Sequence, residues 1–437
     1  MKKTGKICAT QKKGIIMSNN NQEINALSPI KKDEKQGWIP LAFIQAGICV
    51  CVPSFLEGAL LVEEMNFWPA ILSGTVGYVL VVVAMTVLGF IGSDLGLASC
   101  TITESSLGKK GARYIAAVVF AINLIGWFGI NNQECAESFV NFMDSSFGIT
   151  LPYAVSCIFW GVIMTVTAAF GMKAMEKLDY VSVPLLLIVM IIGTYLAIRQ
   201  NGLSAVEEQI TPTMSFLDGV ILSFDFYACG VITAADIARF QKSRKDTILS
   251  TTVGVFPMGV ITLVLGALLT KVAGEFDISM VLIVVGIPVL GVISLILSTW
   301  TTNSSNAYCG ALDAVLAFGA PDNRRREVTV AVGLLGTLLG LTGIVDNIET
   351  FLGYLAYMVC PLGGIMFADY FIIGKGKPEN WHSRDGIYLA GVLAWLISVV
   401  LSYLVQLDFA GIGFAIVIYL VLERIWPSVS RPTLKQR

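Results

Sequence analysis

Apolar residues run along most of this chain in long blocks that short clusters of charge separate. A helix crossing about 30 Å of hydrocarbon needs about 20 mostly apolar residues. The gaps between charges give Gln36–Leu56, Met65–Ser93, Tyr114–Gln133, Ser145–Lys173, Tyr180–Ile198 and a polar-interrupted Leu217–Ala235. Six more follow: Thr247–Thr270, Ile278–Leu312, Val328–Val345, Thr350–Ala368, Gly386–Leu407 and Phe409–Leu422. Ile278–Leu312 exceeds one span and turns polar at Thr301-Thr302-Asn303-Ser304-Ser305-Asn306, so it reads as one helix with a polar cytoplasmic half. The last block is short and is expected to run to about Trp426. The pattern predicts an all-α polytopic membrane protein with 12 transmembrane helices.

Charge then tests the count. Cytoplasmic loops of membrane proteins carry an excess of Lys and Arg. With both termini placed in the cytoplasm, 27 of the 29 basic residues fall on the inner side, and only Arg199 and Lys271 fall outside. A miscounted span would scramble that alternation. Three parts follow: a polar, disordered cytoplasmic tail over 1–36, a twelve-helix domain over 37–427, and a cytoplasmic tail over 428–437. The tail has no apolar core of signal-peptide type, and translation could start at Met1 or at Met17.

Composition agrees with the blocks. The chain is 55% hydrophobic and 14% charged, against about 45–50% and about 25% in soluble domains, and its mean hydropathy is +0.75. A net charge of −2 argues against nucleic acid as a partner. Nine cysteines at scattered spacings form no CxxC set, and the one histidine, His382, argues against haem, a His-bearing zinc site and a Ser-His-Asp triad. No GxxxxGK[ST] loop is present to cradle ATP. What remains is a secondary transporter rather than an enzyme, with no cofactor beyond a coupling ion.

Polar groups at membrane depth mark function by default. In span one, Cys51-Val52-Pro53-Ser54 puts a proline inside an apolar helix, where it removes a backbone donor and frees a carbonyl; a simple kink and a true break both fit. Span six reads Ser223-Phe224-Asp225-Phe226-Tyr227-Ala228-Cys229-Gly230, and Asp225 needs a partner or a proton there. Interrupted helices at corresponding positions of two halves point to the substrate site of an inverted-repeat transporter, so spans one and six are both expected to be discontinuous. Span eight carries Ser298-Thr299-Trp300-Thr301-Thr302-Asn303; its hydroxyls can ligate a cation or bond back to their own helix. Span three holds Gly126-Trp127-Phe128-Gly129 and then Glu134 and Glu137. Trp127 fits either core packing or a stacking platform. The two glutamates, like Glu57, fit either a watery vestibule or a buried role.

These stretches resemble the nucleobase–cation symporter-1 family, and within it the cytosine and purine–cytosine permeases. The shared strings are the Gly-Trp-Phe-Gly of span three, Ala235-Asp236-Ile237-Ala238-Arg239-Phe240, Trp300 through Tyr308, and Pro361-Leu362-Gly363-Gly364 with Ala368-Asp369-Tyr370. The resemblance covers about Leu41 to Glu423. It implies a five-plus-five inverted repeat with two extra C-terminal helices, and import of a nucleobase-like heterocycle (cytosine, a purine or a related pyrimidine) across the cell membrane. It also implies a cation site between spans one and eight, formed by the carbonyls of Gly47, Val50 and Ser298 and the hydroxyls of Thr301 and Thr302. With both threonines present, sodium is the preferred driving ion. The base would stack between Trp127 and an aromatic of span six, Tyr227 before Phe226, with Asn303 on its edge. Where cytosine permeases carry a glutamine and serines, this chain has Leu124 beside Asn123, and Phe226 and Cys229. Asp225 is an added acceptor for an exocyclic amine or a cationic ring. Proton coupling, or an amino acid or amine as cargo on the same fold, are the alternatives.

Overall fold

The computed structural model describes residues 26–425, apart from the side chains of 346–350 and 352. Among them the regular structure is helical, with a single bridge joining Gln36 to Gln241. The chain runs through α1 (Trp38–Cys49), α2 (Val52–Glu64), α3 (Phe67–Leu95) and two short helices, α4 (Ser99–Ile102) and α5 (Glu104–Gly111). A π-helical turn leads into α6 (Ala117–Phe147), followed by α7 (Tyr153–Phe170), α8 (Met172–Asn201) and α9 (Phe216–Ala238). Next are α10 (Arg244–Gly254), α11 (Phe256–Ala273), α12 (Ile278–Val284) and α13 (Pro288–Phe318). The chain closes with α14 (Arg325–Gly340), α15 (Ile348–Phe367), α16 (Leu389–Val405) and α17 (Ala410–Ile425). Every apolar block read from the sequence carries a helix. Among the described residues, seven helical stretches are long and apolar enough to cross a membrane, and the α1–α2 pair, bent by 55°, makes an eighth.

Polarity is turned inside out relative to a water-soluble bundle. Large apolar side chains such as Trp68, Val181, Ile191 and Leu404 stand exposed on the outer faces, while Glu57, Asn123, Asp179 and Asn303 are buried among helices. Only a hydrocarbon solvent makes that distribution favourable. Helices meet closely through small residues, as lipid-embedded helices do. A Cβ on Gly58 would lie 2.1 Å from the Leu263 carbonyl oxygen, and one on Gly266 would lie 2.0 Å from that of Phe55. The two glycines therefore seat α2 against α11 backbone to backbone.

Three expectations need correction. The block Ile278–Leu312 is two helices: Gly286 takes φ +91° and Pro288 opens α13, so the chain turns between α12 and α13. Span six is one continuous helix, α9, because it lacks a proline and Gly230 keeps its backbone donor. The tail is ordered from residue 26. Asp322 accepts from the Ala26 and Leu27 N–H groups and from the Ser28 hydroxyl, Arg239 donates to the Ala26 carbonyl at 2.6 Å, and Ile30 N–H donates to the Gly96 carbonyl at 2.9 Å. Residues 1–25, Met17 among them, and the end of the chain from Trp426 lie outside the described residues.

Candidate substrate and cation sites

Pro53 is the second residue of α2 and cannot donate to the Cys49 carbonyl. Val50 (φ −91°, ψ 80°) and Cys51 (φ −138°, ψ 162°) leave the helical region, and the chain turns there. In an unbroken rod the Gly47 and Ile48 carbonyls would accept from the N–H groups of Cys51 and Val52. Here they face α13 instead. Thr301 Oγ1 lies 3.0 Å from the Gly47 oxygen and 2.8 Å from that of Ser298. Thr302 Oγ1 lies 3.3 Å from the oxygens of both Gly47 and Ile48, and 3.1 Å from that of Ser298. A hydroxyl has one proton to give, so two threonines cannot satisfy all of these contacts together. The cluster is rich in hard oxygen acceptors, the chemistry of a small-cation site. Gly47, Ser298, Thr301 and Thr302 thus lie together. Val50 sits at the break without taking a bond from either threonine, and Ile48 supplies the third carbonyl.

Against this cluster lies a cavity of about 70 Å³, room for more than a single water. Its walls come from α1, the α1–α2 break, α3, α6, α9 and α13. Leu124, Trp127, Phe226, Tyr227 and Cys229 line it, five of the eight expected substrate residues, and Thr302 lines it too. Trp127 shares an apolar cluster with Phe226 and Ile130. Tyr227 turns toward the first helix, where Cys49 Sγ lies 3.1 Å from its hydroxyl, and its ring centroid is 6.1 Å from that of Tyr78. Phe226 rather than Tyr227 is therefore the aromatic grouped with Trp127.

The other three expected residues stand elsewhere. Asn303 is fully buried between helices: its amide donates to the Phe128 carbonyl at 3.1 Å, and its oxygen accepts from Asn306 at 3.1 Å. Asn306, three residues on, is the one that reaches the cavity. Asn123 and Asp225 line a separate void of about 10 Å³ behind Trp127 and Cys229. Asp225 thus stands apart from the main cavity. Glu57 is fully buried and accepts from the Tyr78 hydroxyl at 3.1 Å, whereas Glu137 is exposed and accepts from Gln133 at 2.9 Å.

Sequence reasoning passed over Gln45, Asn131, Ser305 and Asn306, all of which line the main cavity. Gln45 Oε1 and Ser305 Oγ are buried and lack a hydrogen-bond partner. A signal for Gln45 existed: it is the only amide side chain in the apolar run of α1. The lining combines apolar and aromatic side chains with unsatisfied acceptors and hydroxyls, which suits a flat ring with polar edges.

The arrangement is that of a carrier, and the comparisons name its kind. The family described as "Permease for cytosine/purines, uracil, thiamine, allantoin" matches residues 29–421, and the chain belongs to that family. It is accordingly a multi-pass membrane permease and not an enzyme. The cytosine permease of Escherichia coli is 27% identical over 79% of this chain and 80% of its own length. The allantoin permease of Bacillus subtilis is 24% identical over 95% and 96%. Among solved structures, Mhp1, a nucleobase-cation-symport-1 transporter in a closed conformation with bromovinylhydantoin bound, superposes with a TM-score of 0.82 at 20% identity, over 92% of this chain and 95% of its own. A Na+-coupled sialic acid symporter superposes with a TM-score of 0.65 at 12% identity, over 92% of each chain.

Proposed function

We propose that this permease imports a nucleobase-like heterocycle, with cytosine, a purine or a related pyrimidine as the class of cargo, driven by a sodium gradient through alternating access. The observation that carries the reading is the double position of Thr302, which lines the cavity and whose hydroxyl lies against the carbonyls of the α1–α2 break. A cation held there changes the wall that a substrate touches, which is what coupling requires. Trp127 and Phe226 would hold the faces of the ring, and Gln45, Asn131, Ser305 and Asn306 would read its edge. The names of the cytosine and allantoin permeases support a heterocycle, and the sialic acid symporter shows sodium coupling in a related fold. Twelve spans in two inverted halves, with both termini in the cytoplasm, complete the reading. An amine or amino-acid cargo anchored on Asp225 is less well supported, because that carboxylate lies off the main cavity.

The test is uptake of labelled cytosine, adenine, uracil and allantoin in cells lacking their own permeases, with sodium and then with choline. Accumulation that needs sodium supports the reading. Accumulation that ignores sodium and collapses with a protonophore replaces the ion and keeps the class.

A further inference from the structure

Charge-bounded reading leaves Asp179 at the margin of span five, but the structure places it inside α8 and 1% exposed. Its Oδ1 has no hydrogen-bond partner, and neither has the hydroxyl of Ser182, one turn along the same face and fully buried. α8 packs against both α1 and α13, the two helices that form the oxygen cluster. A Cβ added to Gly47 would lie 2.4 Å from Asp179 Oδ1 and 3.2 Å from Thr301 Cβ. The carboxylate and the threonine thus abut the same glycine, whose carbonyl is the shared acceptor of the cluster. The glycine leaves the gap through which α8 reaches it. A buried carboxylate without a partner is costly, and such groups inside membranes pair with a charge or mark an ion path.

We infer that Asp179 is the anionic ligand of the coupling-cation site, brought by α8 to the oxygens of Gly47, Ile48, Ser298, Thr301 and Thr302. The inference rests on the sodium reading above and adds a third helix to a site assigned to two. Carbonyls and hydroxyls alone leave a bound monovalent cation with its full charge inside the bundle. Asp179 neutralises that charge, so the site favours a small cation that hard oxygens can enclose closely. Ser182 stands ready as a further hydroxyl donor to the carboxylate or ligand to the ion.

The experiment uses the purified full-length chain, with sodium chloride exchanged against choline chloride at constant ionic strength. The readout is the rise in melting temperature that a ligand of the folded state causes. In the unaltered protein the rise saturates with sodium. Asp179→Asn, isosteric and neutral, is expected to require at least a tenfold higher sodium concentration, and Asp179→Ser likewise should the amide misfold. Asp179→Glu, which keeps the charge, retains the larger part of the response. A neutral variant that melts cooperatively and keeps the sodium titration of the unaltered protein overturns the inference and leaves the sodium reading intact. An unaltered protein indifferent to sodium overturns both.

Discussion

Two helices cross the middle of this molecule beside the same cavity, and they meet it in opposite ways. The first is cut at Val50 and Cys51 into α1 and α2, and it offers the cavity bare backbone. The sixth span, α9, runs unbroken from Phe216 to Ala238 and offers only side chains, chiefly Phe226, Tyr227 and Cys229. The difference begins with one residue type. Pro53 deletes a donor and clashes with the preceding turn, whereas Gly230 weakens its helix without deleting anything. The broken helix can therefore ligate an ion with carbonyls that no sequence pattern needs to encode. The unbroken one can meet a cargo only through its side chains.

The sharpest way to test the division is to remove the partner of the broken helix. Thr302→Ala deletes a hydroxyl within 3.3 Å of the oxygens of Gly47 and Ile48. Sodium-driven uptake is expected to fall at least about tenfold, a loss of about 1.4 kcal/mol in binding, with a matching rise in the sodium needed for half-maximal rate. Unchanged sodium dependence in transport assays would show that the bared carbonyls do not hold the ion. Next in size is Pro53→Ala, which restores an N–H facing the Cys49 carbonyl. Closing the rod is expected to stabilise the detergent-solubilised protein by up to about 3 kcal/mol while uptake drops several-fold. A variant that gains stability and keeps full uptake would mean that the break is dispensable.

The same contrast sets what was legible in the sequence. The blocks, the break at Pro53 and the threonine pair were readable because each depends on local composition or on one residue with a fixed backbone consequence. The break in α9 was wrongly expected because a glycine, a carboxylate and a hinge by analogy were read as equivalent to a proline. Asn303 is expected on the substrate's edge, whereas it is Asn306 that lines the cavity. Both lie on α13, and which of two residues three apart faces a void is decided by how that helix is rotated against α6, which sequence periodicity does not specify in a helix buried all round. Asp179 falls just outside the block Tyr180–Ile198 because charges bound the blocks, so a carboxylate buried inside a helix reads as its end. Ordering of residues 26–36 depends on Asp322 and Arg239, some 200 to 300 residues distant, and no local pattern reports contacts of that range.

A smaller effect probes the unbroken helix. Gly230→Ala adds a Cβ that would lie 2.4 Å from the Tyr227 ring. Helix propensity favours alanine by about 1 kcal/mol, and displacing the ring offsets part of it. Thermal stability is expected to change by no more than about 1 kcal/mol, and sodium dependence not at all, while the cargo's affinity shifts as Tyr227 moves. A lost sodium response in this variant would link α9 to the ion and erase the contrast between the two helices.

The smallest effect belongs to a segment that does not line the cavity, and it calibrates the others. Asp322 fastens the segment 26–28 to the bundle. Partial burial acts to raise its carboxyl, but the bonds donated by Leu27, Ser28 and Ala26 outweigh that and hold it below its ordinary value. A group depressed in the folded state stabilises the protein above its unfolded value, about 3.9, and the contribution is lost as pH falls through the folded value. Melting temperatures of the parent and of Asp322→Asn, measured from pH 7 down to about 3, are therefore expected to differ by a constant amount above about pH 5 and to converge toward the acid end. Because the carboxylate is only partly buried, that difference should not exceed about 2 °C. Sodium titrations of the two proteins should coincide throughout, since the fastening lies in the loop between α13 and α14 and not among the oxygens of Gly47, Ile48 and Ser298. A variant at Asp322 that weakened the sodium response would mean that the ordered segment and the broken helix move together, and that the cation site answers to the loop between α13 and α14 as well as to its own ligands.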